Sequence, residues 1–393
     1  MVTFLRRRIM MLGMTNNNNA PKILQVVPAL EQGGVEVGTL EMARYLLAQG
    51  WGSVVVSNGG GMVKQLEDEG TKHFSLPLHL RNPWRLLVNG FKLAGLVKRE
   101  KISLMHVRSR GPAWSAWLAS KLTGVPFVTT FHGIYGHGYA LKRFYNSGML
   151  RGKRVIANSR YTLAHLQTVY APAEHTLALA PRGYDETRYN ANAVTDDQVK
   201  LLRQSWNLPS TTTPVLMKVG RLGSWKGHRV LIEALGQLVA QKWTCVLVGS
   251  GRPEFEAELK QLAQQHGVAE RIIWAGAQNN IPLYMAAADV CISASIQPES
   301  FGRTIVEAQA MGTPVIATNH GGAMELIDRN ITGWFVPPNN ANALAQAIKK
   351  SLQQPLNDKR NMHAACKAWA SQFTTEKMCA AEFAVYKSVL SIP

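Results

Sequence analysis

The chain has 393 residues, 46% of them hydrophobic, and a formal net charge of +18. That length exceeds one typical core and predicts two domains. No apolar run reaches the ~18 residues of a spanning helix, which argues against a transmembrane segment. Cys245, Cys291, Cys366 and Cys379 lack Cys-x-x-Cys spacing, which argues against zinc and a disulfide framework and fits a reducing compartment. The charge is uneven: residues 1–190 net +14 and the remainder +4. A basic half predicts an anionic partner, such as nucleic acid, anionic lipid or a phosphorylated substrate; solubility alone is the plain alternative.

Residues 1–21 have a basic start and an apolar piece, Ile9 to Met14, too short for a signal sequence, and read as a disordered leader. "KILQVVPAL" is the first strand, followed by Gly33-Gly34 and a helix from about Val35 to Ala48. "GSVVVSN", "ISLMHVRS", "PFVTTFH" and "RVIANS" read as later strands, each followed by a helical pattern. After a polar segment near residue 190 the rhythm restarts with "PVLMKVG", "WTCVLVGS", "RIIWAGA", "DVCISAS" and "TPVIAT". Strands alternating with helices predict parallel sheets with helices on both faces. The expected organisation is an N-terminal domain over 22–190, a C-terminal domain over 191–372, and a last helix over 373–393 that packs back on the first domain. Ligands of such sheets bind outside the carboxyl ends of the strands, so the loops there are the places to search.

One stretch, "QPESFGRTIVEAQAMGTPVIAT", sets Glu299 and Glu307 around a helix start. Apolar Phe301, Ile305 and Ala308 recur at helical spacing, and Gly312 and Pro314 end the helix. The amides of Phe301, Gly302 and Arg303 then project from a positive helix terminus, which suits an anion. Carboxylates beside it accept hydrogen bonds from hydroxyls. A sugar nucleotide, with hydroxyls on either side of a pyrophosphate, has that layout. For the pair in isolation, a loop carboxylate near a helix dipole and a solvated helix residue is the plainer reading.

"EQGGVEVGTLEMA", "FVTTFHG", "VGRLGSWKGHRVLIEAL", "ESFGRTIVE" and "HGGAMELIDRNITGWFVPPNN", in that order along the chain, together resemble glycosyltransferase family 4. This retaining family has the α/β GT-B fold, two facing Rossmann-like doubly wound domains with an inter-domain cleft. The resemblance covers roughly residues 22–390 and leans towards bacterial envelope and lipopolysaccharide enzymes. It implies that Glu299 holds donor-sugar hydroxyls and Glu307 the ribose, with Phe301, Gly302 and Arg303 facing sugar and phosphate. It places Arg221 and Lys226 on the diphosphate, Gly33 and Gly34 against the donor phosphates, and His132 near the reacting sugar. Two departures, Arg182-Gly183 in place of Asn-Gly and Val37 in place of a basic residue, bear on the acceptor side. No Asp-x-Asp occurs, so no cofactor or metal is expected, and Arg221 and Lys226 take the role a metal would have.

The reading that follows is a metal-independent hexosyltransferase, moving sugar from a nucleoside-diphosphate donor to a lipid-linked or envelope saccharide acceptor. A sugar-nucleotide epimerase or phosphorylase is the nearest alternative. A nucleic-acid-binding protein is the alternative of another class, and the chain has no module for it. "RNPWRLLVNGFKLAGLVKREK" predicts a helix from Pro83 with Trp84, Leu87, Val88, Phe91 and Gly95 on one face and Arg85, Lys92 and Arg99 along a ridge. With "YALKRFYNSGMLRGKR", it predicts contact with an anionic membrane surface. The expected location is cytoplasmic, peripheral on the inner face of the cytoplasmic membrane.

Overall fold

The computed structural model describes residues 20–31, 33–80, 82–136, 138, 140–208 and 212–392. The leader read over 1–21 therefore lies, up to residue 19, outside the described residues. The chain divides into two compact units. The first runs to Asn158, resumes over Leu163–Ala180 and ends with the residues from Cys379 onward; the second comprises Ser159–Thr162 and Pro181–Met378. The main division falls at Ala180/Pro181, ahead of the polar segment near residue 190, because Tyr184 and Tyr189 are already buried in the second unit's core.

The first unit holds β1 (Lys22–Val26), β2 (Gly52–Ser57), β3 (Lys72–Ser75), β4 (Leu104–Val107), β5 (Phe127–Phe131), β6 (Arg154–Ala157) and β7 (Leu177–Leu179). They form one parallel sheet in the order β3-β2-β1-β4-β5-β6-β7. The second unit holds β8 (Val215–Val219), β9 (Thr244–Val248), β10 (Ile272–Gly276), β11 (Val290–Ser293), β12 (Val315–Thr318) and β13 (Gly333–Val336), also parallel, in the order β10-β9-β8-β11-β12-β13. Both orders reverse beside the first strand of the unit, between β1 and β4 and between β8 and β11. That reversal leaves a crevice at the carboxyl ends, the usual ligand position of a doubly wound sheet.

Side chains explain the layering. β5 and β9 are buried along their whole length, as strands covered on both faces must be. Leu231, Leu235, Trp243 and Ile348 fill one side of the second sheet, and Met217, Val246, Ile305 and Val315 the other. The C-terminal helix, Thr375–Leu390, carries Glu382, Phe383 and Tyr386 onto the first unit. Phe383 packs edge-on against Tyr45 and Trp51. Glu382 pairs with the fully buried Arg108, 2.5 Å from Oε2 to Nη2, and Arg108 Nε donates to Gln25 Oε1 at 2.7 Å. His106 lies between the Tyr386 hydroxyl at 2.5 Å and the Thr130 hydroxyl at 2.7 Å. Burial, with Arg108 and His132 nearby, holds this imidazole well below its ordinary range, so it is neutral.

Candidate functional site

β8 and β11 flank the switch point of the second sheet, and the loops at their carboxyl ends meet. Gly227 is the point of closest approach. Its φ is +73°, and a Cβ there would lie 1.8 Å from the Ala294 carbonyl oxygen, so only glycine lets the loop after β8 pass under the end of β11. The preceding residue, Lys226, is thereby brought to Glu299, with Nζ 2.9 Å from Oε1. The Ser295 hydroxyl donates to the same oxygen at 2.5 Å, and the Lys226 ammonium also lies 4.3 Å from the centre of the Trp225 ring. The two charged side chains are 21% and 17% exposed, partly withdrawn from water yet open to a ligand. Burial by itself raises the Glu299 carboxyl, but Lys226 and the Ser295 hydroxyl outweigh it and hold the group below its ordinary value.

The backbone around this pair is fastened from below. The Glu299 carbonyl accepts the Gly322 amide at 2.8 Å, and the Ser295 carbonyl accepts from Thr318 Oγ1 at 2.9 Å and contacts His320 Nε2 at 2.7 Å. These contacts explain why "HGG" follows β12: it is the shelf on which the Glu299 loop rests. The helix Arg303–Ala310 then opens at Gly302, whose φ of +110° suits glycine. Within the first turn the Ile305 amide donates to the Gly302 carbonyl at 3.0 Å, whereas the amides at the very start of a helix have no acceptor within it.

Lys226 and Glu299 are joined directly. Arg303 and Glu307 form a second pair on the helix, 3.4 Å apart, with Glu307 only 8% exposed. Burial, followed by the Glu307 carboxylate, pushes the Tyr189 hydroxyl upward and keeps it protonated beside this pair. Arg221 shares the loop after β8 but is exposed; Glu299 is held by Lys226 and Ser295. Phe301 is not a helix residue. Its ring is buried near Phe373, so at this position the side chain serves the core.

Gly33, Gly34 and His132 belong to the first unit. Gly33 caps the helix Gly34–Ala48 in the connection that leaves β1, and its carbonyl accepts the Val37 amide at 3.0 Å. His132 follows β5 directly and is half-buried. On the helix Pro83–Arg99, Asn82 caps the N-terminus through the Arg85 amide at 2.9 Å. Trp84, Leu87 and Phe91 are 69%, 43% and 56% exposed, while Leu93 and Val97 are buried. Arg85, Lys92 and Arg99 are all exposed on that helix; Arg99 also lies 3.4 Å from Glu100 and 4.9 Å from the Phe74 ring.

Sequence reasoning missed Ser295, four residues before Glu299, and Lys218. Lys218 is a lone charge in the apolar strand "VLMKV" and is 3% exposed. Burial, followed by the repulsion of Lys226, pulls its ammonium down to about 7, against the opposing attraction of Glu299. A cation inside an otherwise apolar strand was a signal available in the sequence.

Known proteins of this architecture give the class. A glycosyltransferase structure from Rickettsia africae ESF-5 is 38% identical, with a TM-score of 0.87 over 95% of this chain and 99% of that one. The Anabaena Alr3699/HepE structure in complex with UDP-glucose is 25% identical, with a TM-score of 0.80 over 93% of this chain and 99% of that one. The 2-deoxystreptamine glucosyltransferase of Streptomyces kanamyceticus is 25% identical over 314 residues, 75% of this chain and 80% of that protein. The fold is therefore that of a GT-B glycosyltransferase. The chain belongs to glycosyltransferase family 4: residues 32–188 match Glycosyltransferase Family 4 and residues 200–369 match Glycosyl transferases group 1.

Proposed function

We propose that this glycosyltransferase moves a hexose-type sugar from a nucleoside diphosphate to a lipid-linked or envelope saccharide acceptor, with retention and without a divalent metal. The observation that carries the donor reading is the Lys226–Glu299 pair at the switch point of the second sheet, beside the opening of the helix Arg303–Ala310. A diphosphate laid against those helix amides meets Lys226, with Arg221 on the same loop. Its negative charge grows as the glycosidic bond breaks, so fixed cations and amides favour the transition state over the bound donor. Glu299 accepts hydrogen bonds from sugar hydroxyls, and Glu307 from the ribose. A neighbour's complex with UDP-glucose supports a nucleotide sugar as donor. Gly33, Gly34 and His132 are assigned to the donor phosphates and reacting sugar from the first unit.

Thermal stabilisation by a panel of nucleoside diphosphates tests the donor site, since only a ligand of the folded state raises the melt. No shift with any of them sinks the reading. NMR of the product's anomeric centre tests retention. Transfer that EDTA abolishes and Mg²⁺ or Mn²⁺ restores refutes metal independence.

Peripheral membrane binding through the helix Pro83–Arg99 is part of the same proposal, at the inner face of the cytoplasmic membrane. Its support is the exposed stripe Trp84–Leu87–Phe91 beside Arg85 and Lys92. Arg99 continues the same ridge and is itself 63% exposed. Among the described residues no helix is long and apolar enough to cross a membrane. Co-sedimentation with anionic liposomes that weakens with salt, and falls in an R85E/K92E variant, is expected; indifference to such liposomes at low salt removes this part.

A further inference from the structure

The first unit carries an open cavity of about 820 Å³ that the donor reading does not use. Its place follows from topology. The helices Pro83–Arg99, Arg110–Thr123 and Ala140–Ser147 follow β3, β4 and β5, so each begins at the carboxyl-end face of the sheet. Pro83 and Leu86 of the first, Arg110 and Trp114 of the second, and Leu141 and Phe144 of the third line the cavity. His132 leaves β5 on that same face.

The lining is chemically divided. Trp114 and Phe144 stack with centroids 5.0 Å apart, and Leu141 and Phe144 remain 80% and 59% exposed. Large apolar side chains left so open in one depression mark a binding surface. Two cations join them, Arg110 and Lys142, and no described lining residue is acidic. Arg110 is fixed in place: its guanidinium lies 4.9 Å from the centre of the Tyr135 ring, and Nη1 donates to Asn146 Oδ1 at 3.3 Å. A sugar would need carboxylates or amides to read its hydroxyls, and a nucleobase would need polar edges. An aliphatic chain needs neither, and a phosphate at its end matches the two cations.

We propose that this cavity holds the hydrocarbon chain of a single phosphate-bearing lipid, with Arg110 and Lys142 on the phosphate. Treating that lipid as the sugar acceptor rests on the glycosyltransferase reading above; its binding does not. The cavity thus takes one lipid molecule, which is distinct from resting on a bilayer.

The probe is decyl phosphate, kept below its micelle concentration and followed by calorimetry on the whole chain, with decanol and inorganic phosphate as controls. Saturable binding is expected, with inorganic phosphate about tenfold weaker or worse for want of the buried alkyl segment, and decanol about tenfold weaker or worse for want of the charged hydrogen bonds to Arg110 and Lys142. L141D/F144S changes exposed side chains and should weaken decyl phosphate binding about tenfold or more; the chain should stay folded, its melt lowered by no more than the lost Trp114 stacking, and its affinity for UDP should stay unchanged. K142A, which leaves Arg110 in place, should reduce the preference for decyl phosphate over decanol. Absence of saturable binding, equal binding by L141D/F144S, or binding only to anionic vesicles each overturns the proposal. UDP binding that persists while decyl phosphate fails refutes the cavity alone. The reverse result refutes the donor reading alone.

Discussion

Glu299→Gln is the sharpest perturbation of the donor site, because it keeps the shape and removes the charge. At 2.9 Å, two unit charges attract by about 6 kcal/mol at an effective dielectric of about 20. Desolvation offsets much of this, yet removing one partner of a buried pair usually costs about 3–5 kcal/mol, because the other charge is stranded. Lys226 is 21% exposed and recovers part of its hydration, so we expect a loss of about 2 kcal/mol. For a unit of this size that lowers the melt by about 4–8 °C. Turnover should fall by about 10²–10³, the usual cost of one electrostatic contact to the reacting group. The pH dependence separates charge from shape. The folded carboxyl lies below its ordinary 4.5; the pair therefore contributes fully above that value and loses its contribution as pH falls through the lower, folded value. Glu299→Gln should remove this acid-side step. The assays are donor-dependent turnover and thermal melts from acid to neutral pH. A well-folded Glu299→Gln enzyme with near-normal turnover would falsify the site assignment, and an unchanged acid-side step would refute the charge argument.

Lys218→Met should raise the melt, and more at about pH 6 than at about pH 9. Below about 7 the ammonium is charged in folded and unfolded chains alike, and the folded state bears the whole burial cost. Between about 7 and 10.5 the folded chain has released the proton and the unfolded chain has not, so the cost shrinks as pH rises. A gain independent of pH contradicts this. Gly227→Ala should cost about 3 kcal/mol or more, since its Cβ would meet the Ala294 carbonyl at a left-handed φ; a wild-type melt is the contrary result. Glu382→Gln strands the buried Arg108 and should cost about 3–5 kcal/mol. Asp68→Asn, at the exposed Lys64–Asp68 pair, should leave the melt unchanged; equal effects from the two would show that burial is not what matters.

The alternation of apolar runs and helical patterns sufficed for two parallel Rossmann-like sheets, because a strand covered on both faces must be apolar throughout, as β5 and β9 are. The strands not read from sequence, β3, β7 and β13, are all sheet edges. An edge strand pairs on one side only and needs less of that pattern; β3, with Lys72 and Ser75 exposed, shows it. Local chemistry was legible too: Asn82 and Pro83 open a helix because an amide oxygen caps the first turn and proline needs no donor there. What a side chain does with its charge was not legible. Lys226 and Glu299 are 73 residues apart, and Arg108 and Glu382 are 274 apart. Each pair exists only because separate strands and helices end at the same place. Phe301 shows the same limit within a motif, since its ring turns into the core while Glu299, two residues before it, pairs with Lys226. Sequence patterns specify which segments must hide from water. Which buried charge meets which counter-charge is decided when the chain packs, since an ion withdrawn from water is tolerated only where the fold supplies a partner.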